Sequence, residues 1–163
     1  MVINFQTDKR DDEYRSAFTM IELVFVIVVL GILAAVAIPK LAASRDDAVI
    51  VKGKSQVAAI RSGISLLKSK RMLEGNMTAI TALDSATNNT EGQNLFYGGA
   101  TGNILEYPII SKSADGYWMK TGTTTYSFKV LGQTISFTYN SSSGFDCNTT
   151  DTTTGTNCKL LTQ

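Results

Sequence analysis

Histidine is absent from the 163 residues. That removes the commonest general base, the commonest metal ligand and every Ser-His or Cys-His nucleophile arrangement. Cysteine occurs only twice, too few for a zinc site built from Cys and His. Charge is sparse and balanced: Asp, Glu, Lys and Arg make up 18% of the chain, and the formal net charge is +1. No global field draws such a chain to nucleic acid or to anionic lipid. No phosphate loop, paired-carboxylate site, calcium loop or internal repeat is visible. The composition points away from an enzyme, and neither a cofactor nor a metal is expected. The length suits one domain with an appendage.

Against this background stands one dense feature. Leu23 to Ile38 is sixteen residues without a polar side chain. The wider apolar segment, Phe18 to Ile38, is interrupted only by Thr19 and Glu22. As a helix it would rise about 31 Å, the thickness of a bilayer's hydrocarbon core. A carboxylate at the edge of such a run is costly unless something answers it. Met1 to Ala17, before the run, is polar and mixed in charge, with Lys9, Arg10 and Arg15 against Asp8, Asp11, Asp12 and Glu13. Lys40, Arg45, Lys52 and Lys54 follow the run closely. Basic residues therefore flank it on both sides, and their distribution does not set an orientation.

From Lys40 to about Glu74 the pattern stays helical. Ile50, Val57, Ile60, Ile64 and Leu67 form one stripe on a helix. Gly75-Asn76 reads as its stop, and Lys68, Lys70 and Arg71 suit the negative end of its dipole. Ser44 with Asp47 hints at a helix restart after Pro39. Beyond Asn76 the texture changes to Ser, Thr, Asn and Gly. "TTTYSFKVLGQTISFTYN" reads as a hairpin turning at Leu131-Gly132, which sets Phe128 opposite Ile135 and Tyr126 opposite Phe137. "GYWMKTG" reads as a preceding strand, and Asn76 to Glu106 as mostly loop, with short elements at "TAITAL" and "NLFY". The expected class is α+β: a long helix, apolar in its first half and amphipathic in its second, packed on a small antiparallel sheet.

Cys147 and Cys158 enclose ten residues of Thr, Asn, Asp and Gly. A pair closing a polar loop reads as a disulfide, which implies that this part of the chain leaves the cytoplasm.

The segment Ala17 to Lys40 resembles the N-terminus of type IV prepilins and of the related pseudopilins of type II secretion. The family pattern is a polar leader, a cleavage point, then Phe-Thr-Leu/Met-Ile/Val-Glu and about sixteen apolar residues. Here it reads Phe18, Thr19, Met20, Ile21, Glu22 and onward, with Gly31 and Pro39 where many members carry them. The residue before the cleavage point is usually Gly, and here it is Ala17. The resemblance implies cleavage between Ala17 and Phe18, N-methylation of Phe18, and assembly through Thr19 and Glu22, the acid meeting the Phe18 amine of a neighbouring subunit. It also implies loss of helicity between Gly31 and Pro39 in a filament.

The implied fold is pilin-like: leader 1–17, transmembrane and assembly helix 18–39, and an exported head 40–163. Within the head are a helix to about residue 75, a loop 76–115, a sheet 116–140 and a disulfide loop 147–158. The implied function is a structural subunit of a type IV pilus-like filament, with a type II secretion pseudopilin as the alternative; the disulfide-bounded tail leans toward pili. Implied partners are copies of itself and other pilins or pseudopilins, prepilin peptidase, an assembly platform protein and inner-membrane lipid. The implied location is the bacterial inner membrane, N-terminus cytoplasmic and head exported, then a periplasmic pseudopilus or a surface pilus.

Other signals are weaker. Ala35-Val36-Ala37 resembles a signal-peptidase site and keeps open an exported soluble protein; a bitopic sensor would retain Met1. "LLKSKR" reads as a solvated helix end, so nucleic acid is not an expected partner. "EGNMT" and "DCNTT" match a bacterial N-glycosylation acceptor, a pattern that chance supplies readily in a chain rich in Asn and Thr.

Overall fold

The computed structural model describes residues 18–99 and 102–163, apart from the side chains of residues 42 and 43. The expected leader, with Ala17, lies outside the described residues. The chain divides into two compact units, Met1–Leu41 and Ala42–Gln163.

Helix α1 spans Met20–Leu73 and contributes to both units. Pro39 lies inside it, so no restart follows the proline. The helix ends as its sequence suggests. Gly75 takes a left-handed φ of 75°, its amide donates to the Met72 carbonyl at 3.1 Å, and the Asn76 amide donates to Arg71 at 2.8 Å. This is a Schellman closure, which needs a residue that tolerates positive φ.

In the second unit, strands β1 (Asn94–Leu95) and β2 (Ile109–Ile110) pair as a small ribbon. The main sheet is an antiparallel meander of β3 (Trp118–Lys120), β4 (Thr125–Val130), β5 (Gln133–Asn140) and β6 (Gly144–Cys147). The β4–β5 register sets Phe128 opposite Ile135 and Tyr126 opposite Phe137, as the hairpin pattern predicts. The turn holds Leu131 at φ 53° and Gly132 at φ 72°. Two positive φ values give the twist that a two-residue hairpin requires, and Leu is an unfavourable residue to hold there.

One face of the sheet carries Trp118, Tyr126, Phe128, Phe137, Tyr139 and Phe145, all buried. Against it lies the predicted helix stripe: Val57, Ile60, Ile64 and Leu67 are buried, and Ile50 is partly so. Two glycines let the helix come close. A Cβ on Gly53 would lie 2.6 Å from both Leu161 and Phe128, and one on Gly63 would lie 2.1 Å from the Ile104 carbonyl oxygen. No side chain fits at such distances.

The C-terminal region departs from expectation. The sheet runs on past residue 140 into β6, and the segment read as a disulfide loop becomes helical at α2, Gly155–Thr162. The polar composition of this stretch conceals both elements. Their formation rests on tertiary burial of Phe145, Cys158 and Leu161, and on the Cys147–Cys158 disulfide, with Cα atoms 6.0 Å apart. Asp151 prepares the helix start by accepting the amides of Thr153 at 2.9 Å and Thr154 at 2.7 Å. These bonds hold its carboxyl below the ordinary pKa range.

One polar knot is embedded in the core. The Asp84 carboxylate accepts from Lys120 Nζ at 2.7 Å, Tyr126 Oη at 2.9 Å, the Phe96 amide at 2.9 Å and the Ala86 amide at 3.2 Å. Asp84 retains none of its side-chain exposure and Lys120 only 6%. Burial, then the Asp84 charge and the bond to it, push the Tyr126 phenol far above its ordinary pKa. The loop carrying Asp84 is thereby tied to β3 and β4.

Candidate functional site

The first half of α1 is exposed throughout its described length. Every described residue from Phe18 to Leu41 is exposed. Among the described residues this is the one helix long and apolar enough to cross a membrane, and none of its most apolar window is buried. Such a helix, apolar on all sides, must find lipid or other chains.

Glu22 sits in the first turn. Its amide donates to Thr19 Oγ1 at 3.3 Å, and its Oε2 accepts from the Thr19 amide and hydroxyl, each at 3.4 Å. Thr19 stands just before the helix and Glu22 at its third position. The reciprocal pair is a capping box, which satisfies helix-start donors that hydrocarbon would leave bare. The negative charge also lies at the positive end of the helix dipole. A local reason for the acid is therefore present within the chain. The T-x-x-E spacing that encodes it is legible at Thr19–Glu22, although the resemblance implies only that the acid answers a neighbour. Glu22 Oε1 accepts no bond among the described residues, so the cap leaves one oxygen free.

The other expected site residues are distributed along the same helix or far from it. Phe18 is 81% exposed and precedes the first turn. Gly31 has open space around its Cα, and Pro39 lies in helix. Cys147 and Cys158 belong to the second unit and are joined. Asp146 lies beside them, but both sulfurs are committed to the disulfide, so these three residues do not offer a metal site. Both glycosylation-like motifs are folded into local turns, with the Asn76 and Asn148 side chains accepting from Thr78 and Thr150.

Residues 14–38 match the family described as the prokaryotic N-terminal methylation motif. This segment carries the N-terminal motif of pilins and pseudopilins and supports a likeness to that family. Over 54 residues the chain is 37% identical to the type II secretion system core protein G of Pseudomonas aeruginosa. The match covers 33% of this chain and 38% of that protein's length. No solved structure matches. Members of the pilin and pseudopilin family are structural subunits rather than enzymes.

Proposed function

We propose that this chain is a subunit of a type IV pilus-like filament, anchored and polymerised through the first half of α1. The observation that carries the reading is an apolar helix exposed on every side, opened by a single acid and lying in a methylation motif. In this reading the leader 1–17 is removed between Ala17 and Phe18, and the new Phe18 amine is methylated. That amine is cationic near neutral pH. The free Oε1 of Glu22 meets the amine of a neighbouring subunit, while Oε2 keeps its cap on Thr19. Each buried charge then has a partner, and the pair fixes axial register. Gly31 and Pro39 mark the stretch that unwinds in the filament, because Pro39 lacks the amide that an unbroken ladder needs. Before assembly the helix rests in the inner membrane with the head exported, where the disulfide is stable. Peptidase and assembly platform act on it there.

A pseudopilin of type II secretion is the second reading, favoured by the likeness to a type II core protein. The two readings share the processing step and differ in the assembly that takes up the chain.

Mass spectrometry of the mature N-terminus tests the shared part. The expected product begins at methylated Phe18. A product beginning at Ile38 would show signal-peptidase cleavage, and an intact Met1 would show a bitopic protein. Competition between wild type and Glu22→Ala for entry into filaments tests the charge pairing: the variant should insert and be cleaved, yet be under-represented. Deletion of pilus or of type II assembly genes, with the chain followed in sheared surface fractions, then separates the two assemblies.

A further inference from the structure

A cleft of about 210 Å³ opens where α1 ends. Met72, Met77 and Ile80 give it an apolar wall, and Lys68 and Arg71 bring two cations; none of its lining residues is acidic. Arg71 is the unusual member, since only 9% of its surface is exposed. Its Nη2 donates to Thr78 Oγ1, and its Nη1 is buried with no hydrogen-bond partner. The ion pairs among the described residues are Arg61–Asp146, Lys70–Glu74 and Lys120–Asp84, so Arg71 has no carboxylate.

Lys68 is similarly placed, its Nζ donating to the neutral Ser141 carbonyl at 2.9 Å. The helix end offers only about half a negative charge, and the Arg71 and Met72 carbonyls already accept the Asn76 and Gly75 amides. Nearby, Tyr139 Oη is also buried without a partner. Burial raises the pKa of that phenol, and the Arg71 charge opposes the rise. A buried guanidinium held by one neutral hydroxyl is incompletely compensated.

We propose that this cleft binds a carboxylate carried on a short apolar stem: the acid on Arg71, supported by Lys68, and the stem on Met72, Met77 and Ile80. A guanidinium pairs with a planar carboxylate through two parallel N–H donors, and here one terminal nitrogen is unused. The carboxylate can come from a free short-chain acid or from an acidic side chain of a peptide. This site goes beyond the filament reading and does not depend on it.

The test is thermal unfolding of the full chain in non-ionic detergent, titrated with sodium butyrate, butyramide and sodium chloride, the two salts at matched ionic strength. Butyrate should raise the midpoint in a saturable way, whereas butyramide and chloride should not. Arg71→Gln should weaken butyrate binding by about tenfold or more, as for loss of a charge-assisted bond. Lys68→Gln should weaken it less, and Lys70→Gln should leave it unchanged. Should Arg71→Gln unfold, Arg71→Lys and the Arg71 Nε–Hε resonance of the wild type carry the test, since that resonance should move with butyrate alone. The capped tripeptide Ala-Glu-Ala distinguishes the sources: tighter binding than butyrate assigns the site to peptide acids, weaker binding to free acids. A butyrate effect equal to that of chloride, or unchanged in Arg71→Gln, overturns the proposal.

Discussion

The two halves of α1 are both rich in apolar residues and end differently. Ile27 is 58% exposed and Leu33 is 60% exposed, whereas Ile60 is fully buried and Ile64 retains 4%. The second half has polar and charged residues on its outer face, so a single stripe faces the sheet. The first half is apolar all round, so no single packing surface could cover it. Apolar content makes a helix; the distribution of that content around the axis decides whether the chain itself can bury it.

The sharpest way to break this comparison is through the core knot of the second unit. Lys120→Ala leaves the Asp84 charge buried and unpaired, and should cost the head about 3–5 kcal/mol. The single tryptophan, Trp118, is buried in the same core, so urea unfolding followed by its fluorescence reads the loss. A change under about 1 kcal/mol would mean that water reaches the pair.

Next comes a matched pair of substitutions in one helix. Ile60→Ala should destabilise the head by about 2–5 kcal/mol, through lost burial and the cavity left behind. Ile27→Ala should leave the same urea transition within about 0.5 kcal/mol, because Ile27 is exposed and lies outside the core of the head. Equal effects at both positions would erase the distinction between the halves.

A smaller gain is expected at the β4–β5 turn. Leu131→Asn places a residue that tolerates positive φ where the turn demands one, and should stabilise the head by about 1 kcal/mol. Leu131 is 41% exposed, so little packing opposes the change. A lowered urea midpoint would show that this contact outweighs the backbone term.

The smallest effect is a pH dependence. Asp151 is held below its usual pKa by the Thr154 amide, then the Thr153 amide, then the Thr154 hydroxyl. A depressed folded-state value adds stability that is full above the unfolded-state value and is lost as pH falls through the folded-state value. Asp151→Ala should therefore lower the urea midpoint slightly at neutral pH, with the difference closing in strong acid. A difference that persists there would point to chain geometry rather than charge.

Much of this architecture can be read from side-chain periodicity. Val57 to Leu67 announces its buried face, Gly75 its stop, and Phe128 with Ile135 the register of a hairpin. The acid at Glu22 can be read too, since Thr19 and Glu22 stand at the spacing of a capping box. Periodicity does not reveal β6 and α2. Their segments are short and polar, and Phe145 and Leu161 become structural only against partners far along the chain.

The sequence by itself therefore determined the long helix, its two unlike halves, the hairpin register and the methylation motif, because each depends on residues within a few turns or one strand pair of one another. Tertiary structure alone decided which glycines are closely approached, where Asp84 finds Lys120, and that Arg71 is buried without an acid among the described residues. Those outcomes depend on which distant groups are brought into contact. Gly53 meets Phe128 and Leu161, and Gly63 meets Ile104. No local pattern encodes the approach of a backbone carbonyl to a helix, since the contact exists only once both elements are packed.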